Sequence, residues 1–574
     1  MKRIASAIGC AVLLLVLAGC SSSSGGNGEG GGGNGGGGGV AVPPSNIQVL
    51  TYHNDNARTG LNPNETTLTT SNVKAATFGK LGSMPVSGLV DAEPLYVGNI
   101  TINGTARNVL YVATENDLVY AFDADTFALL WQQSVLGAGE SPSDDHACTQ
   151  ISPNIGITST PVIDRSAGPN GTLLLMAMTK DPTNAYHHRL HALDLVTHAE
   201  LNGGPTEVQA GVPGTATGSV GGMVTFNPGA YKDRASLLLV NGTIYTMWAS
   251  HCDNPNYTGW VISYNESTLQ RQSVLNVTAN GTTQGGKEGG IWMAGSGPAA
   301  DSAGAIYFLV GNGTFDTALN GGGFPASGDY GNAFVKLTAA GNNLTVADYF
   351  AMHNACCAAS SESDTDEDLA SGGLLLLPDL QDNTAKTWHL ALGAGKDGYI
   401  YVVNRDSMGK FNPSNDTAIY QKVNDPSGNG SGTGPLTGGV WSAPAYFNNT
   451  VYYGPNGNRL MAFSISNAKL STAPTSMSPT TFVYPGATPS VSANGTTNGI
   501  VWVVERVPNS GVVATLHAYD ATNLATELYN SNQTSTRDQF PDNVYDKFVT
   551  PMVANGKVYV GTPNAVVVFG LLSP

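Results

Sequence analysis

The sequence predicts an all-β chain folded as an eight-bladed propeller, with seven blades as the alternative count. Three observations predict it. One pattern, an alternating strand ending in an Ala/Tyr-x-Asp-like turn followed by a strand leading away, recurs eight times. The recurring turns are about 50 to 73 residues apart, against roughly 40–50 for a minimal propeller blade. Runs of Val, Thr, Tyr and Asn broken by Gly, Pro and Asn fill the chain, and no convincing amphipathic helix interrupts them.

The copies are LYVATENDLVYAFDADTFALLW (110–131), RLHALDLVTHAEL (189–201), WVISYNESTLQRQ (260–272), AFVKLTAAGNNLTVADYF (333–350), YIYVVNRDSMGKF (399–411), RLMAFSISNAKLS (459–471), TLHAYDATNLATELY (515–529) and AVVVFGLL (565–572). Short strands opened by Pro or Gly precede them, as in AEPLYV, TSTPVID, SAPAYF, ATPSVS and VTPMVA, and are expected to be the inner strands of successive blades. The excess length per repeat is loop, and loops on one propeller face are where sites are built. The last copy has no outgoing strand. The segment FGKLGSMPVSG (78–88) is expected to supply it and close the ring, leaving no free sheet edge.

Ahead of the expected propeller (46–574) lie two other segments. Lys2 and Arg3 precede an apolar run from Ile4 to Leu17, too short to span a bilayer as a permanent helix. It ends in Leu17-Ala18-Gly19-Cys20, which resembles the lipobox of bacterial lipoproteins. That resemblance implies a signal peptide over 1–19, a lipid on Cys20 and a cell-envelope location. Ser21, in place of Asp, makes the outer membrane the expected destination. Residues 20–45 are the anchor and a Gly/Ser-rich leash that cannot bury apolar surface.

The formal charge of −17 argues against nucleic acid or anionic lipid as a partner, since both repel an acidic surface. Of the six cysteines, four lie in the expected propeller. Three connectivities are open in an oxidising compartment, and the favoured one joins Cys148 to Cys252 and Cys356 to Cys357. No Cys-x-x-Cys-His is present, so no haem is expected on this chain.

TYHNDNARTGLNPNETTLTTSNV (51–73), GGIWMAGSGPAADSAGAIYFLVGNGTFD (289–316), GAGKDGYIYVVNRDSMGKF and GGVWSAPAYFNNTVYYGP (438–455) resemble, in order, segments of the pyrroloquinoline-quinone alcohol dehydrogenases. This quinoprotein resemblance implies a quinone and calcium site. Trp292 matches the ring-stacking tryptophan and Asn312 the calcium-binding asparagine. Asp253, through a gapped match, falls near the calcium-binding glutamate. Lys396 matches the cation against the quinone oxygen, assisting both binding and catalysis. Asp91, three residues before Pro94, takes the place of a cofactor-contacting glutamate, and Asp329 in SGDYGN is the candidate catalytic base. Calcium wants such oxygen ligands, and the reaction needs a carboxylate to take the hydroxyl proton.

Each residue also has a purely structural reading. Trp292 packs a blade junction, Asn312 fills a turn of positive φ, Lys396 is solvated, and Asp91 and Asp253 are turn residues. Two positions depart from the family. Its adjacent cysteine pair corresponds to Ala147-Cys148, and its carboxylate-holding arginine to Ile155.

Two further clusters stand apart. His187, His188 and His191 surround a strand and read as polar decoration more readily than as a metal site. The run Glu362–Asp368 alternates carboxylates but lacks the EF-hand glycine and terminal glutamate, and reads as a solvated acidic loop. Two functions follow. One is a quinone- and calcium-dependent oxidoreductase for alcohols or sugars that passes electrons to a separate acceptor. The other is a binding or scaffold lipoprotein with an envelope partner, the cofactor lost.

Overall fold

The computed structural model describes residues 45–282, 288–357, 361–363, 365–424, 434–506, 514–541 and 547–573. Cys20 and nearly all of the leash lie outside them. No helix among the described residues is long and apolar enough to cross a membrane.

Among the described residues, eight blades follow one another along the chain, each built on four antiparallel strands, several of them extended by an extra strand from the strap or a loop. Their first, innermost strands are Leu95–Ile102, Val162–Asp164, Leu238–Val240, Ala299–Ala300, Leu374–Leu376, Ala445–Phe447, Ser490–Asn494 and Met552–Ala554, which define blades 1 to 8. Blade 8 lacks a fourth strand of its own. Phe78–Pro85 supplies it, pairing antiparallel with Ala565–Leu571 from Phe78↔Leu571 to Pro85↔Ala565. The ring closes as the sequence predicts, with eight blades.

The second strands are buried on both faces because each sheet is covered by its neighbours, and so read as continuous apolar runs. The apolar clusters accordingly join successive blades around the ring: Tyr111 with Leu175 between blades 1 and 2, Phe463 with Leu392 between 5 and 6, Trp502 with Phe569 between 7 and 8. Phe78 seals the closure, wholly buried against Trp502, Tyr529 and Phe569. Burying such a ring contributes about 2–3 kcal/mol.

The N-terminal strap is not legible in the repeat pattern. From Ile47 to Glu65 the chain meets all eight innermost strands in order. The Ile47 carbonyl accepts from Gly98 N, the Leu50 carbonyl from Ile163 N and the Asn56 carbonyl from Ala300 N. The Ala57, Thr59 and Gly60 carbonyls then accept from Leu376, Tyr446 and Val491 N. Asn62 Nδ2 donates to the Val553 carbonyl of blade 8. Arg58, fully buried, donates Nε to the Pro298 carbonyl and Nη2 to the Leu237 carbonyl, tying blade 4 to blade 3.

His188 shows how a polar side chain survives between blades. It is wholly buried beside Trp248 and Phe226, and Nε2 donates to the Pro228 and Tyr231 carbonyls. Burial lowers its pKa from 6.5 to about 3. The unfolded chain therefore takes up this proton below pH 6.5, while the folded chain stays neutral until about pH 3. Stability from His188 is full above 6.5 and is lost as pH falls through that window, at up to about 1.4 kcal/mol per pH unit. In urea denaturation the stability gap between the parent and His188→Leu is expected to narrow from pH 7 to pH 4. A gap independent of pH contradicts it.

His187 and His191 face the other side of this strand, where Nδ1 of each meets a carboxylate, Glu207 at 2.9 Å and Glu200 at 3.0 Å. Both rings are hydrogen-bonded to a carboxylate.

Candidate functional site

In an antiparallel blade the turn after the second strand and the connection to the next blade open on the same propeller face. Asp253, Asn312 and Lys396 occupy one repeated position on it. Each lies three residues beyond the second strand of blades 3, 4 and 5, which end at Ser250, Leu309 and Gly393. Trp292 stands on the connection from blade 3 to blade 4, and the connection from blade 4 to blade 5 brings two more carboxylates, Asp366 and Asp368.

These groups meet. Asn312 N donates to Asp368 Oδ1 at 2.7 Å, and Asn312 Nδ2 donates to Asp366 Oδ1 at 2.8 Å. Lys396 Nζ bridges the same two carboxylates, 2.8 Å from Asp366 Oδ1 and 2.9 Å from Asp368 Oδ2. The Trp292 ring stands edge-to-face on Tyr257 at 5.8 Å, and the Tyr257 hydroxyl donates to Asp253 Oδ1 at 2.7 Å. Gly311 makes the close approach permissible. A Cβ there would lie 2.6 Å from Asp368 Oδ1 and 2.7 Å from Trp292 Cδ1.

The structural readings of two residues fall away. Asn312 does not have positive φ, and Lys396 is a largely buried ammonium between two carboxylates. Asp253 does sit at φ 55°. Burial works against the charge of Lys396, yet Asp368 and Asp366 hold it above the ordinary lysine range. Burial pushes the Asp368 carboxyl up, against the pull of Lys396 and the Asn312 N–H.

The acidic run is not a solvated loop. Glu362 and Asp368 are 7% and 5% exposed, and this connection is the element that delivers Asp366 and Asp368 to the site. Asp364 lies outside the described residues. The Cys356–Cys357 disulfide precedes the run in the same connection, and Cys148–Cys252 ties the approach to blade 2 to the residue before Asp253.

Two sequence candidates stand apart from this group. Asp329 Oδ1 accepts from Asn280 N at 2.9 Å, and burial followed by the Asp316 charge lifts its carboxyl to about 6. Asp91 lines a small polar pocket with Tyr52, Glu93, Arg234, Ser296 and Thr550. Burial and then the Asp91 charge push the adjoining Glu115 carboxyl up to about 8. Arg234 lies over the Phe548 ring at 4.5 Å and is a guanidinium the sequence reading passes over. Ile155 is buried with Ile151 and Met178.

The donor chemistry fits a hard divalent cation. Asn312 Oδ1 is buried with no hydrogen-bond partner, and its neighbours are carboxylates. Among the described residues no group of three or more His, Cys, Asp or Glu side chains is placed to hold a metal ion.

Two solved structures resemble this chain over nearly its whole length. Quinohemoprotein alcohol dehydrogenase from Comamonas testosteroni matches with a TM-score of 0.55 and 15% identity, covering 91% of this chain and 80% of the other. A quinohemoprotein alcohol dehydrogenase from Pseudomonas putida HK5 matches with a TM-score of 0.55 and 13% identity, covering 92% and 83%. The fold is the quinoprotein alcohol dehydrogenase propeller. No family model and no curated sequence matches the chain.

Proposed function

We propose that this chain is an alcohol oxidoreductase that uses pyrroloquinoline quinone and calcium at the Trp292–Lys396 site. The observation that carries the reading is the unpartnered Asn312 amide oxygen beside Asp368, itself paired with Lys396. Asn312 and Asp253 would hold the cation, and Trp292 would support the flat ring. Lys396 would meet a quinone oxygen, and Asp91 and Arg234 would face the cofactor from the axial cavity. The quinone supplies the two-electron acceptor that no side chain offers. Asp368 takes the substrate's hydroxyl proton, held in place by Asn312 N–H and by Lys396. Asp329 has no part in this group.

Electrons then pass to a separate acceptor, since the sequence has no haem-attachment motif. The Leu17-Ala18-Gly19-Cys20 motif supports lipid anchorage to the envelope, most simply at the outer membrane. Cys20→Ser is expected to move the protein from the detergent to the aqueous phase in phase partition, and unchanged partition contradicts the anchor.

A second reading rests on Ile155. An apolar residue packed where the family holds a cofactor carboxylate favours a propeller that binds an envelope partner without the quinone. The two separate in a dye-linked alcohol oxidation assay. Dye reduction that requires both the quinone and Ca²⁺ supports the enzyme. No reduction with both present, across short-chain, aromatic and sugar alcohols, overturns it.

A further inference from the structure

One buried charge on the site face stands without a partner. Lys232 lies on the short strand Tyr231–Lys232, which pairs antiparallel with the site end of blade 3's second strand, Lys232↔Ala249. The residue is 4% exposed, yet among the described residues its ammonium makes no hydrogen bond and no ion pair. A charge held out of water without a partner is strongly destabilising, so its presence points to a counter-charge that arrives from outside the chain.

The surroundings do not supply that counter-charge. Burial lowers the Lys232 ammonium, and the charges of Glu115, Asp91 and Asp233 oppose the shift without forming an ion pair with it. Burial also lifts Glu115 to about 8 and Asp233 to about 7, so neither carries a full negative charge at pH 7. Arg234 adds a second positive group that acts on Lys232. Other polar atoms of this corner are unmatched as well. Glu115 Oε1, both Asp117 carboxyl oxygens, Ser250 Oγ and His251 Nδ1 are buried without a hydrogen-bond partner. Glu115 lines a pocket of ≈ 310 Å³ with Asn116, Ser152 and Asn154, and Asp91 and Arg234 line the small polar pocket described above.

The corner also adjoins Ile155. Gly156 N and Thr158 Oγ1 donate to Glu115 Oε2 at 2.6 and 3.0 Å, and Ser159 Oγ donates to Asp233 Oδ2 at 2.7 Å. The run that follows Ile155 in blade 2 is thereby tied to the residue after Lys232 in blade 3. We propose that Lys232 holds an anionic group of the ligand at the Trp292–Lys396 site, a carboxylate where that ligand is pyrroloquinoline quinone. The positive charge then reaches this corner from blade 3, beside an apolar Ile155. The identity of the ligand rests on the proposed function; the unpaired ammonium does not.

The test is calorimetric titration of the full chain, in Ca²⁺, with pyrroloquinoline quinone and with its trimethyl ester, in the parent and in Lys232→Gln. The melting temperature of each protein is taken without ligand. Lys232→Gln is expected to weaken quinone binding about 10- to 100-fold, the worth of a hydrogen bond to a charged group. Ester binding is expected to stay within about twofold, because an ester offers the ammonium no charge, and comparing all four affinities cancels the bulk of the ester groups. The ligand-free melting temperature is expected to hold or rise, since an unpaired buried charge has been removed. Equal quinone binding by the two proteins, equal losses for quinone and ester, or a clear fall in the ligand-free melting temperature overturns the assignment and leaves the proposed oxidation standing. A parent that binds no quinone rejects the oxidation, and the assignment with it.

Discussion

Asp368→Asn is expected to lower alcohol oxidation by the quinone- and calcium-loaded protein by about 10²- to 10⁴-fold, the usual worth of a positioned general base. An amide of the same shape keeps one oxygen for the Asn312 N–H, which now lies 2.7 Å from the carboxylate. It loses the basic oxygen and the ionic partner of Lys396. Asp329→Asn is the paired control and is expected to stay within about twofold in rate, because the buried amide keeps an oxygen for the Asn280 N–H and the proposed base is elsewhere. Initial rates at saturating alcohol decide. Equal losses in both variants would contradict the assignment of the base to Asp368, and a loss confined to Asp329→Asn would return the base to Asp329.

Arg58→Ala is expected to have the largest effect on stability, on the order of 4–5 kcal/mol. Its guanidinium donates to the Leu237, Pro298 and Tyr52 carbonyls and to the Thr51 hydroxyl, all buried. Removing it strands those acceptors and opens a void where the strap crosses from blade 3 to blade 4. Arg58→Lys keeps a charge but loses the planar fork, and is expected to recover less than half of the loss. Arg107→Ala, at a partly exposed pair with Asp123, is expected to cost under about 1 kcal/mol. Guanidinium chloride midpoints measure all three. A midpoint for Arg58→Ala within error of the parent would mean that the strap does not hold the ring.

The repeat was readable because each blade needs the same alternation and the same inner-strand opening, so the eight copies and the 78–88 closure follow from local pattern. The strap was not readable, because its bonds are main-chain contacts to partners up to hundreds of residues away, as between Asn62 and Val553. At the site, Trp292, Asn312, Asp253 and Lys396 were reached through resemblance, and the fold gives the physical reason for three of them: the same turn position in three successive blades. Asp366 and Asp368 were hidden inside a run of carboxylates that composition marks as solvent-facing. Only the packing of that connection against Asn312 and Lys396 separates the buried Asp368 from its exposed neighbours.

The most direct measurement is calorimetric titration of the chain from Ala41 onward with pyrroloquinoline quinone, with and without Ca²⁺. The proposed site predicts calcium-dependent binding, roughly submicromolar, a range that ligand-and-metal sites of this size reach. It is expected to be lost in Asn312→Ala, where the unpartnered amide oxygen is removed, and weakened in Trp292→Ala. No heat in either condition, or binding indifferent to calcium and to Asn312, would contradict the account and leave a propeller with the quinoprotein fold and no quinone.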